Sequence, residues 1–128
     1  MQTMIHQRLT AATVLLALDL VWVTTVMRSW YASMVAIIQS ETPMRLRMQW
    51  ALVAYAFMVV GLLSFCVRDG DDLSEAGARG ALFGLVLYGV YDFTNATVFK
   101  DFHVGLACID VVWGSFVFGV ASAAATLV

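Results

Sequence analysis

The sequence predicts an all-α fold, an integral membrane bundle of four transmembrane helices with a long first connection. Three observations predict it. Hydrophobic residues make up 62% of the chain and charged ones only 12%, against about 25% charged in a soluble domain. The apolar residues gather into four runs, each near the roughly 20 residues a helix needs to cross a bilayer. The single proline, Pro43, falls between runs. Lipid leaves open backbone groups unsatisfied, and runs so few and so continuous do not suit a barrel, so helices remain.

The first span runs from about Leu9 to Met27. It holds an aspartate and lacks a small-x-small cleavage site, so it reads as a retained span and not as a signal peptide. Residues 28–49 form the long link, with Trp30 and Tyr31 placed for the headgroup zone among Arg28, Arg45 and Arg47. Within it WYASMVAII either continues the first helix or lies flat on the membrane. The second span runs from about Trp50 to Val67. An acidic turn follows, RDGDDLSEAG, whose Ser74–Gly77 stretch is placed to cap the third helix. Its carboxylates read as a solvated loop in preference to a cation chelate. The third span runs from about Ala78 to Phe99, and Gly80-x-x-x-Gly84 in it fits close helix packing. Lys100–Asp101 makes a tight turn into the fourth span, about Phe102 to Leu127, so the last two helices are expected to be antiparallel neighbours. The four spans read as a single domain over residues 1–128. Basic residues split four against three between the two sides, which assigns no orientation.

Three aspartates lie inside these spans: Asp19, Asp92 and Asp110. A carboxylate at mid-membrane costs about 2.5–3.5 kcal/mol on insertion scales, so each is a functional-site candidate. Asp92 precedes Lys100 by eight residues, Asp110 follows Asp101 by nine, and Asp19 precedes Arg28 by nine. With a rise of about 1.5 Å per residue, all three sit in one layer, roughly 12–14 Å below the same face. Each also has polar neighbours on its own helix: Trp22 beside Asp19, Trp113 beside Asp110, and Tyr88 and Asn95 beside Asp92, with Tyr91 and Thr94 at the same level. The pattern Asp19-Leu20-Val21-Trp22 returns as Asp110-Val111-Val112-Trp113 on a helix of opposite direction, in the manner of an inverted repeat or by chance. Carboxyls gathered in low dielectric carry protons, share them, or hold a cation.

Other features exclude more than they suggest. A net charge of −2 gives no reason to expect nucleic acid. Cys66 and Cys108 sit in apolar segments and read as packed thiols, and no metal-ligand spacing is present. His6 and His103 lie near helix ends as interfacial residues. The seven methionines are scattered. No nucleophile–base motif or phosphate loop occurs. No cofactor is implied.

Tyr91-Asp92-Phe93-Thr94-Asn95, then Lys100-Asp101, then Asp110-x-x-Trp113-Gly114 resembles the bacterial membrane-protein family catalogued as domain of unknown function 2177. Asp19 and Trp22 match its Asp-x-x-Trp in the first span, and the Tyr55 to Gly61 region is similar to its second span. The resemblance covers nearly the whole chain. It implies four helices and these polar positions, and no reaction. Members often carry Trp-Pro where this chain has Phe102-His103.

Three functions remain open. In the first, Asp19, Asp92 and Asp110 with Asn95 form a proton or cation site in a channel or transporter, within a homo-oligomer because one bundle encloses little room for a pore. In the second, the acids line a pocket for a lipid-like or small-molecule ligand, or serve a membrane enzyme as general acid and base. In the third, they only tie helices together in a structural or accessory subunit. In each, the surrounding partners are membrane lipids.

Overall fold

The computed structural model describes residues 2–40 and 42–128, and these form five α-helices and two π-helical turns without a strand. Helix α1 (Gln2–Val21) passes into a π turn, Trp22–Val26, that closes with Met27 N–H donating to the Trp22 carbonyl at 3.0 Å. The break has a local cause. The hydroxyls of Thr24 and Thr25 donate to the Leu20 and Val21 carbonyls at 2.6 and 2.5 Å, and such back-bonding bends a helix. WYASMVAII therefore belongs to a separate helix, α2 (Arg28–Ile38).

Helix α3 (Met48–Gly61) also ends in a π turn, Leu62–Cys66. Helix α4 (Leu73–Val98) is capped by Asp72, whose carboxylate accepts from Glu75 N–H at 2.8 Å. The cap thus precedes the Ser74–Gly77 stretch that the sequence suggests, because a short carboxylate two residues earlier reaches the free amide directly. Helix α5 (Val104–Ala125) is capped by His103, whose Nδ1 accepts from Leu106 N–H at 3.1 Å.

Three helical segments are long and apolar enough to cross a membrane: Thr3–Val26, Met48–Cys66 and Val104–Ala125. Helix α4 is the longest, yet it falls outside this set of three where the sequence predicts four. Tyr88, Tyr91, Asp92, Thr94 and Asn95 crowd its second half and lower its apolar character.

The closest packing joins α4 to α5. Residues 99–103 turn the chain back, and Ser115 Oγ donates to the Ala81 carbonyl at 3.0 Å across the pair. Small residues permit the approach. A methyl group at Gly80 would strike the Phe118 carbonyl and the Ser122 hydroxyl, and one at Gly84 would strike the Gly114 carbonyl. Between helices in lipid, such contact is itself a main source of association. Helix α1 lies on α5, with Ala11, Leu15, Val117 and Ala121 fully buried in one cluster. Leu62 and Cys66, from the π turn after α3, join that cluster.

Near the start of α4, Arg79 grips Asp71 of the acidic turn through two hydrogen bonds, Nη1 to Oδ2 at 2.5 Å and Nη2 to Oδ1 at 2.9 Å. Arg79 Nη1 also reaches the Cys66 carbonyl at 3.3 Å, so it ties the acidic turn to the end of the α3 segment. The guanidinium's hydrogen bonds and charge hold the Asp71 carboxyl below the usual range. A depressed carboxyl contributes stability above its unfolded value of about 3.9, and that contribution fades as pH falls through the lower folded value. Asp71→Asn is therefore expected to lower the detergent-unfolding midpoint at pH 7 and to leave it level with wild type once the medium is acidic enough to protonate Asp71. An equal gap at both pH values would contradict this.

Candidate functional site

Buried carboxyls in an apolar interior must find donors, and the helices supply aromatic ones. Asp19, Asp92 and Asp110 are 3%, 1% and 5% exposed, so each is withdrawn from the outer surface of the bundle. Among the described residues none of the three forms an ion pair.

Asp19 on α1 accepts three hydrogen bonds. Tyr55 OH donates to its Oδ2 at 2.8 Å, and Tyr88 OH and Trp113 Nε1 donate to its Oδ1 at 2.8 and 2.9 Å. The donors come from α3, α4 and α5. One carboxyl therefore links four helices.

Asp110 on α5 forms the second centre. Trp22 Nε1 donates to its Oδ1 at 3.2 Å, and Tyr31 OH donates to its Oδ2 at 2.6 Å. The Asp92 carboxyl on α4 is a near neighbour of the Asp110 carboxyl. Asp92 Oδ2 is buried and meets no donor among the described residues. Ionised carboxylates only accept, so a hydrogen bond between two of them requires a proton on one.

The tryptophans join the two centres. Each Asp-x-x-Trp pair is crossed with the other: Trp113 donates to Asp19, and Trp22 donates to Asp110. A step of three residues up α1 matches a step of three down α5, as antiparallel helices require. The indoles stack between the centres with centroids 4.4 Å apart and planes 5° from parallel. Trp22 is also the first residue of the π turn, and a π turn shifts the facing of the side chains that follow it.

This arrangement corrects the expected partners. The sequence places Trp22 beside Asp19 and Trp113 beside Asp110 on their own helices. Indole N–H groups point across the interface instead, because a partner on the facing helix lies in line with a long side chain. Tyr88 likewise serves Asp19 and not Asp92. Tyr91 and Thr94 are exposed and Asn95 is half-buried, and no hydrogen bond joins any of the three to a carboxyl among the described residues. Tyr91 and Thr94 lie on other faces of α4, whereas Asn95 shares the face of Asp92 without meeting a carboxyl.

Two partners were not singled out in the sequence as carboxyl donors. Tyr55 stood only within the second span, and Tyr31 was placed in the headgroup zone. A phenol inside an apolar helix is itself a signal, since its hydroxyl needs a partner when buried.

No group of three His, Cys, Asp or Glu side chains among the described residues is gathered to hold a metal ion. Among the described residues, the grooves at Met34, at Ser115 and at Trp113 are not lined by Asp19, Asp92 or Asp110.

A family model described as "Predicted membrane protein (DUF2177)" matches residues 4–127. No curated protein and no solved structure matches the chain. The chain belongs to the DUF2177 family and is a multi-pass integral membrane protein.

Proposed function

We propose that this DUF2177 member is a single four-span domain that binds and releases a proton at the Asp92–Asp110 pair, within a proton channel or proton-coupled transporter. On this reading α4 is the remaining span. Two of its polar groups face the bundle, where Asp92 neighbours Asp110 and Tyr88 donates to Asp19. Burial of those groups removes the cost that lipid would impose.

The observation that carries the reading is Asp92, 1% exposed, with one oxygen lacking a donor and the Asp110 carboxyl as its neighbour. Neutral amides or hydroxyls would satisfy a merely adhesive role. Two facing acids instead require a proton, and proton loss leaves like charges together in low dielectric. Tyr31 and Trp22 stabilise Asp110 as that charge develops. A proton needs only the two acids, whereas among the described residues no three His, Cys, Asp or Glu side chains gather as ligands. The enclosed space is small, so the transporting unit is proposed to be a homo-oligomer.

The test is proton flux in liposomes. Wild type is expected to dissipate an imposed pH gradient, whereas Asp92→Asn should fall to the rate of empty vesicles while retaining its helical content. Wild-type flux equal to that of empty vesicles under pH, sodium and potassium gradients would overturn the reading.

A second reading rests on a separate observation: Asp19 is fully occupied by three neutral donors. Such a node suits a structural or accessory subunit. It gains support if Asp92→Asn changes stability and nothing else.

A further inference from the structure

The Cα atoms of α2 stay more than 8 Å from those of α5, and a groove of about 340 Å³ opens between the two helices. Met34 and Leu106, both nearly buried, form its floor. Around them stand polar groups of distinct kinds. Asp101 supplies the one carboxylate on the wall, and no ion pair occupies it among the described residues. Trp30, 54% exposed, lines the same groove. His103 spends Nδ1 as an acceptor for Leu106 N–H. In the neutral ring the proton then lies on Nε2, which is left as a donor. Ser29 adds a hydroxyl.

We propose that this groove binds a phospholipid with a primary-amine headgroup, of the phosphatidylethanolamine type. The ammonium would sit between the Asp101 carboxylate and the Trp30 ring, which attract it by charge and by the ring quadrupole. The His103 and Ser29 donors match phosphate oxygens. The apolar floor, with Ile37 61% exposed beyond it, matches the start of an acyl chain. Lipid is the source because the groove lies at the α4–α5 turn, beside the start of the apolar segment Val104–Ala125, the level at which a bilayer presents its headgroups. This site uses none of the buried acids and does not depend on proton binding.

Native mass spectrometry of the full chain tests it, with equal amounts of phosphatidylethanolamine, phosphatidylcholine and phosphatidylglycerol. Wild type should retain phosphatidylethanolamine about fivefold over either competitor. Asp101→Asn should reduce that preference about fivefold, as loss of one exposed ion pair implies. Trp30→Leu keeps apolar area and should reduce it about threefold. Both positions lie outside the buried core, and circular dichroism verifies folding. The inference stands if wild type shows the preference and a correctly folded variant loses it. Equal retention of the three lipids, or wild-type preference in both variants, overturns it.

Discussion

Asp19→Ala is expected to lower the unfolding free energy in bicelles by about 2–3 kcal/mol, the largest loss from any single polar residue in the chain. Three hydrogen bonds end on this carboxyl. Interhelical hydrogen bonds in membranes average about 0.6 kcal/mol each and reach about 1.7. Truncation also leaves two phenols and an indole without acceptors in an apolar layer, each a further cost. The loss is distributed over the whole bundle, because the donors sit on three different helices. Helix α3 should respond most. Its own backbone approaches α1 only sparsely and neither α4 nor α5, so Tyr55 is a principal tether of its middle. Asp19→Asn preserves one acceptor oxygen and should cost about half as much. Reversible detergent or steric-trap unfolding measures both. An Asp19→Ala protein within about 0.5 kcal/mol of wild type would show that the donors re-pair at little cost.

Gly84→Val is expected to destabilise by about 1–3 kcal/mol or more, the typical range for overpacking. The obstruction is backbone, not a movable side chain: a β-carbon at Gly84 overlaps the Gly114 carbonyl, and Phe118 Cβ lies 2.9 Å away. Valine adds two methyl groups to that collision. The helices can accommodate it only by separating, which loosens Tyr88, one turn farther along α4, from Asp19. The contrast is Gly89, on the same helix, where a β-carbon meets nothing within 4 Å. Gly89→Ala should be neutral or stabilising by up to about 1 kcal/mol, from helix propensity alone. Equal effects at the two positions would show that helix propensity, and not the α4–α5 approach, sets the cost.

Much of the helical layout was legible because lipid restricts the options. Apolar run length set the helices, and the short Lys100–Asp101 turn set the α4–α5 hairpin. The Gly80-x-x-x-Gly84 spacing pointed to a close approach, which α4 makes to α5 at both glycines. Less legible were the breaks. The π turn at Trp22–Val26 depends on Thr24 and Thr25 bonding backward, and threonines at such positions also occur in unbroken helices. The apolarity of α4 was overstated, since polar residues there cluster in one half.

The sequence by itself determined that three acids lie within long apolar runs, and it predicts a shared depth for them from counting residues at a fixed rise. It could not determine which donor each acid meets. That depends on helix rotation and on the reach of long side chains across an interface, and a one-residue shift at the π turn changes both. Only the tertiary structure crossed Trp22 to Asp110 and Trp113 to Asp19, brought in Tyr31 and Tyr55, and turned Tyr91 and Thr94 away. Position along a helix is local information, whereas pairing across helices is decided by the packing of all of them together.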